Sequence, residues 1–593
     1  MDISPLLAAG DFDRYYTSLT AVWIFGSGVL IAGALLLVVW LLSLILSFIP
    51  GLRTLAENRL AALTAVVILG AGLGFVAFKY VGVGIFFNSG ALQSAASGIA
   101  ARESLTTILF SGAIGLFVAA LLVFLSNRRS AAEFGGALTE TPMLALLITG
   151  SAVAAIGLTG FAMTYFGGEN NPVEIFGSIW KMSRNPEQIR QVDVAATGTS
   201  GQEQKVDIEL NRNELRRIII ETNQNLYVGT QPLQNSVTET TFEVERQVEG
   251  ARPFVWEKGR QALDPFKEEI TSALYVTNLG SEPAKVTIRA YSYVEYPQVI
   301  WFFYFSGISL TIALAYLLQR MAFPRVTAIC LATIKSAFGQ LLFWVILILG
   351  TFLLSLFVLL PYYTLGEDIK MYLDSSFSLI TLLALIQALW SSGTEIAEEL
   401  EGRTSLTVLS KPINRTSFIL GKYLGILWTV LIIFLVLGSV MMICVALKVP
   451  YDGRENAKSD ISWQECFAEM TVVVPGLFLS FLTAAIISAI SVAISTRLPT
   501  IPNFMICFAI YGLGRLLPLI VDSSAGDFAP VAFFGQFLSI VLPVLHHYDM
   551  QPAIAGGQTV PPIILFWATA YALLYCTMAL VVSLLLFEDR DLT

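Results

Sequence analysis

Eleven apolar runs, free of charge except for Lys79 and Arg515, dominate the chain, near 21–49, 60–80, 104–126, 143–166, 298–319, 340–362, 375–394, 423–447, 470–495, 501–521 and 562–587. A helix needs about 20 apolar residues to cross the hydrocarbon core of a bilayer, where each backbone polar group must be satisfied internally. The runs therefore predict a polytopic α-helical membrane protein with about 11 transmembrane helices. Pro324, Pro361, Pro499 and Pro502 fall at or near the ends of runs, where a missing N–H interrupts little of the helical ladder. The stretch Phe528–Leu545 is also charge-free but contains Pro530 and Pro543. It reads as a re-entrant or interfacial hairpin, because a twelfth span would invert the C-terminus.

Charge is distributed unevenly. Only 13% of the residues are charged, about half the ~25% of a soluble domain. Residues 168–297 nevertheless hold 33 charged side chains, 19 acidic and 14 basic, a normal soluble density. A soluble-like domain is thus inserted into a very apolar chain. Val206, Ile208 and Leu210 alternate with polar neighbours, as do Phe242 and Val244. Leu274 and Val276 precede Asn278-Leu279-Gly280, and Val286, Ile288 and Ala290 follow it. Period-two patterns around turn signals predict β-hairpins in a small sandwich-like fold, with some helix near Asn213–Glu221. The expected organisation is a four-span region at 1–167, a β-rich domain at 168–297, a fifth span at 298–321 and a six-span domain at 322–593. The β-rich domain is read either as a structural cap or as a docking module for a partner or substrate.

The positive-inside rule orients the spans. With the N-terminus outside, the inside segments carry 13 Lys and Arg in about 81 residues, and the short outside segments 8 in about 127. This bias predicts an inner (cytoplasmic) cell membrane protein with an extracytoplasmic β-rich domain and a cytoplasmic C-terminus. No basic n-region precedes the first apolar run, so that run reads as a retained anchor.

Composition and motifs exclude much. A net charge of −9 without a basic stripe argues against nucleic acid as a partner. Gly421-Lys422 lacks the preceding glycine of a P-loop, since Thr416 stands there and Tyr423 follows the lysine; no ATPase site is encoded. There is no GxSxG and no HExxH, and no residue is assigned to catalysis. His546-His547-Tyr548-Asp549-Met550 and Met441-Met442-Ile443-Cys444 contain metal-ligating residue types, but neither pattern supplies a ligand set, and no metal or cofactor is expected in the chain. Cys330, Cys444, Cys507 and Cys576 lie in or beside apolar runs, with Cys466 in a polar loop. Glu469 and Arg515, beside or inside spans, are candidate pathway residues, because charges in membrane segments mark translocation paths or internal ion pairs.

The informative segment is the inside loop Thr394–Lys422. Thr394 is placed to cap a short helix whose first turns are acidic, which suits the positive end of its dipole. Gly402 can end that helix, and Lys411-Pro412 stops a second element over Thr404–Leu409. Ser417 or Thr416 can then cap the next span. The loop reads as a compact amphipathic helix pair and a docking surface for a cytoplasmic protein.

This loop resembles the first cytoplasmic loop of ABC-2 type permeases, the membrane subunits of ABC exporters. The matching positions are Glu398, Glu399, Gly402, Thr404, Leu406, Leu409, Ser410, Pro412, Arg415, Leu420, Gly421 and Lys422. The ending Phe587-Glu588-Asp589-Arg590-Asp591-Leu592 and the entry segment Arg325–Gly339 are similar to family features. The resemblance covers about 322–593. It implies a permease that forms a homodimer or pairs with another permease, and that binds a separate P-loop ATPase holding ATP and Mg. Glu395, together with Arg403 and the positions above, would form the ATPase-docking loop. A non-transporting scaffold or sensor, or a membrane-embedded enzyme, are the alternative readings. The cargo and the role of residues 1–321 are not written in the sequence.

Overall fold

The computed structural model describes residues 9–46, 59–77, 135–166, 187–195, most of 204–230, 241–244, 254–257, 270–279, 282–292, 296–360, 368–397, 414–455, 462–522, 541–549 and 560–588, with a few isolated residues between them. The expected span at 104–126, apart from Ala119, and half of the hairpin at 528–545 lie outside the described residues.

The chain is a polytopic helical membrane protein with a small antiparallel β region. The helices are α1 (Ala9–Leu46), α2 (Arg59–Ala77), α3 (Thr141–Phe166), α4 (Ile300–Ala322), α5 (Pro324–Gly339), α6 (Leu341–Leu359), α7 (Asp368–Ser392), α8 (Arg415–Glu455), α9 (Trp463–Ser495), α10 (Thr500–Asp522) and α11 (Pro562–Glu588). Each apolar run whose residues are described is thus helical. Among the described residues eight helices are long and apolar enough to cross a membrane, and α2 and α10 supply shorter apolar stretches. Pro324 opens α5 at its first turn, and Pro502 lies in the first turn of α10. Two prolines do fall inside helices, Pro450 in α8 and Pro475 in α9. The long helix α9 starts earlier than its apolar run, at Trp463, because Ser462 caps it by accepting the Glu465 N–H at 3.4 Å. Cys466 therefore sits buried in a helix rather than in a polar loop.

The chain divides into two compact units. One comprises 1–44, 128–170 and 301–593. Its centre is α7, α8 and α9, whose apolar residues are mostly buried, whereas α6 and α11 bury few of theirs, as lipid-facing helices do. The last turns of α4 reach α8 through Trp428: Tyr316 meets Trp428 edge-on at 5.4 Å, and the Trp428 indole N–H donates to Gln319 Oε1 at 2.9 Å. Glu140 joins Tyr316 and Arg320 of α4 through its two carboxylate oxygens. Helix α5 packs closely on the start of α8. A Cβ on Gly421 would lie 2.7 Å from Ile329 Cβ, and one on Gly425 would lie 2.6 Å from Thr333 Cβ. The small-xxx-small spacing lets the two backbones approach. Gly421→Val should overpack this contact and cost about 1–3 kcal/mol, read as a lowered melting temperature in lipid nanodiscs.

The second unit, 45–127 and 171–300, contains the β region. Two four-stranded antiparallel sheets share one apolar core. One sheet runs β1 (Glu187–Val194), β8 (Ala284–Ser292), β3 (Leu215–Thr222), β6 (Phe254–Glu257); the other runs β2 (Gln204–Asn211), β7 (Ile270–Asn278), β4 (Leu226–Gly229), β5 (Thr241–Val244). The alternating sets Val206/Ile208/Leu210 and Val286/Ile288/Ala290 point inward as the period-two pattern requires. Two expectations fail here. Asn213–Glu221 is largely strand β3 rather than helix: Ile218 and Ile220 are buried beside Ile219 in a β-branched run that suits a pleated surface. The Asn278 turn does not close a hairpin either, because β7 and β8 belong to opposite sheets. Asn278 instead donates to the Glu282 carbonyl at 2.8 Å and to the Ala195 carbonyl at 3.2 Å, bracing a crossover between sheets.

Candidate functional site

Helices α7 and α8 run antiparallel, and the loop that joins them is the segment singled out by sequence. Glu398, Gly402, Arg403, Thr404, Leu409 and Pro412 of that loop lie outside the described residues. Its base is described and is closely organised.

At the end of α7 the helix widens into a π turn, Gly393–Ala397. Such insertions concentrate at functional sites. Thr394 does not cap a new helix. Its hydroxyl donates back to the Trp390 and Ser391 carbonyls, so the acidic stretch continues α7. The π turn aims Glu395 inward. Lys422, two turns into α8, reaches Glu395 at 2.8 Å and Glu399 at 2.6 Å. Lys422 and Glu395 are each 6% exposed, and Glu399 is 31% exposed. Two carboxylates and one ammonium leave the cluster one negative charge in excess, with the surplus on its wetter member. Sequence reasoning placed Glu395 and Lys422 on the docking surface; the structure turns both inward, where they tie the two ends of the loop together.

On the outer side of this clamp Arg415 is exposed, with its guanidinium 5.9 Å from the Phe587 ring. Phe587 is fully buried and stacks on Phe418 at 5.9 Å. The C-terminal motif thus begins against the first turn of α8. That turn follows Asn414, whose carbonyl accepts the Phe418 N–H, rather than a cap at Thr416 or Ser417.

Directly behind the π turn is a polar knot that sequence reasoning missed. Asn503 of α10 places its amide nitrogen 3.1 Å from Ser392 Oγ, 2.9 Å from Ser491 Oγ and 2.9 Å from Ser495 Oγ. Ser392 and Ser491 are themselves hydrogen-bonded, and the Cys507 thiol meets Asn503 Oδ1 at 3.3 Å. Asn503, Ser392, Ser491 and Ser495 are all buried. Three helices are tied at the level of the loop base by groups that have no local sequence signature. Gly393 faces Thr500 so closely that a Cβ would lie 2.3 Å from its methyl group.

The other candidate residues lie elsewhere. Arg515 pairs with Asp549 at 3.2 Å and faces the Tyr511 ring at 5.5 Å, which fixes the turn Leu545–Tyr548 to α10. Glu469 lies on α9 within electrostatic reach of Lys370 on α7. His546 and His547 stand exposed on the Leu545–Tyr548 turn. Among the described residues no group of three or more His, Cys, Asp or Glu gathers as a metal site.

Residues 367–592 match the family model described as ABC-2 family transporter protein. The match begins after α5 and α6, which the sequence resemblance had included, and contains the loop base, the knot and the C-terminal motif. No curated protein matches the chain.

Proposed function

We propose that this chain, whose residues 367–592 form an ABC-2 family transporter domain, is the permease subunit of an exporter driven by ATP hydrolysed on a separate subunit. The family comprises membrane components of transporters that carry no ATPase site of their own and that pair with an ATP-binding subunit. The observation that carries the reading is the Glu395–Glu399–Lys422 clamp at the base of the α7–α8 loop. A surface that receives a moving partner must pass displacement to the spans, and a loop pinned to both helices does so. In this reading the loop residues from Glu398 to Pro412 meet the ATPase, which holds ATP and Mg. Arg415 adds a charge to the contact. Glu395, Lys422 and Gly421 support it from behind. The chain works as a homodimer or beside another permease in the cytoplasmic membrane, with the β-rich domain outside and the C-terminus in the cytoplasm.

Co-purification with a P-loop ATPase, sought first in the reading frames next to this one, tests the proposal. The full chain should retain that ATPase, and Arg415→Glu should lower retention by about tenfold, the equivalent of 1.4 kcal/mol. A chain that never retains an ATPase, or one whose retention ignores both Arg415→Glu and Gly402→Trp, overturns the docking assignment.

A further inference from the structure

The α7–α8 pair carries a second ion pair of the same design at its other end. Lys448 of α8 contacts Asp368 of α7 at 3.1 Å, and both side chains are fully buried. The same ammonium donates to the Val358 and Leu360 carbonyls at 3.3 and 3.1 Å and lies 4.1 Å from the Tyr451 ring centroid. It therefore caps the C-terminal carbonyls of α6, where cations are favoured. Asp452 completes the joint by accepting the Asp368 N–H at 3.2 Å, at the first turn of α7. One lysine thus fastens the end of α6, the start of α7 and the end of α8.

The spacing of the two clamps is set by the helices. Lys422 and Lys448 are separated by 26 residues of α8, and Asp368 and Glu395 by 27 residues of α7 and its π turn. At 1.5 Å per residue both intervals span about 40 Å, the thickness of a bilayer with its headgroup regions. In each clamp the lysine comes from α8 and the acid from α7. Buried ionisable groups in membrane helices are costly and are kept where they pair.

We propose that α7 and α8 are riveted at both ends into one rigid lever, and that Lys448 is a positioning residue for the loop about 40 Å away. Displacement at the loop base is delivered undiminished to the α6–α7 joint, because the two helices cannot slide past one another while both rivets hold. The functional meaning of the lever rests on the transporter reading above; its mechanics do not.

Thiol labelling of the full chain in lipid nanodiscs tests it, with the five native cysteines buried. Ser417→Cys reports the loop end and Leu360→Cys the far end. Lys448→Met should raise maleimide labelling at Ser417→Cys about fivefold or more, and Lys422→Met should raise labelling at Leu360→Cys by about the same factor, because in a pair riveted at both ends the loss of either rivet loosens the whole pair. Asp368→Asn, which breaks the same ion pair but leaves Lys448 on the two carbonyls, should raise labelling at Ser417→Cys in the same direction, and it also serves if Lys448→Met does not fold. Labelling that changes only at the end carrying the substitution overturns the lever, as does a folded Asp368→Asn that labels at Ser417→Cys no faster than the parent. These rates are read without the ATPase. Failure of ATPase binding would sink the transporter reading alone, and independent ends would sink the lever alone.

Discussion

Lys422→Met should be among the most damaging single substitutions in the membrane unit. It leaves Glu395, 6% exposed, and Glu399 facing each other without a cation. Removing one partner of a buried ion pair costs about 3–5 kcal/mol. The melting temperature in nanodiscs should fall accordingly, and hydrogen exchange should rise over the π turn Gly393–Ala397. Glu399→Gln makes the contrast. It removes the surplus negative charge from the cluster and leaves the Lys422–Glu395 pair intact. Its effect should stay within about 1 kcal/mol, as for a partly exposed pair. Glu395→Gln should fall between the two, since Lys422 retains Glu399. If Lys422→Met and Glu399→Gln destabilise equally, the cluster is not a buried clamp but a solvated charge group.

Much of the fold was legible because lipid imposes a simple rule. A spanning helix must be long and apolar, and the described runs lie in helices, although α1, α8 and α9 extend well beyond theirs. The β core was legible for a similar reason: Val206, Ile208 and Leu210 alternate with polar neighbours because one face is buried. Pairing was not legible. Asn278 looks like a hairpin residue in any local window, and only the partners of β7 and β8 show that it braces a crossover. The Leu215–Ile220 segment misled for another reason: Arg216 and Arg217 break the alternation, while the isoleucines that follow favour a strand.

At the candidate site the loop was found from its motif, but the roles of its ends were not. Glu395 and Glu399 are one helical turn apart and so share a face. That spacing, opposite a lysine at the start of the next helix, was the available signal for a clamp. Lys448, directly after the apolar run 423–447, reads from sequence as one of the eight basic residues of the short outside segments, because its partner Asp368 is distant in sequence and belongs to another helix. Burial decides whether a charge docks a partner or braces a joint, and burial is a tertiary property.

The knot at Asn503 offers a second large effect that has no charge in it. Asn503→Leu keeps the branched shape, with a somewhat larger volume, but removes the amide that Ser392, Ser491 and Ser495 share, together with the acceptor for Cys507. Two N–H donors serve three hydroxyl oxygens, so the loss is that of two or three bonds. Hydrogen bonds between membrane helices contribute roughly 0.6–1.7 kcal/mol each, and stranded buried hydroxyls add to the loss. The expected destabilisation is about 2–4 kcal/mol. Ser495→Ala, which deletes one acceptor and leaves the amide two others, should cost under about 1 kcal/mol. The same variants separate the knot from ordinary packing. Because Ser392 precedes the π turn directly, Asn503→Leu should raise hydrogen exchange over Leu389–Ala397 while leaving the Lys448 end of α8 unchanged. A uniform rise along α7 would mean that Asn503 merely fills space, and unchanged exchange at the π turn would mean that the knot does not hold the loop base.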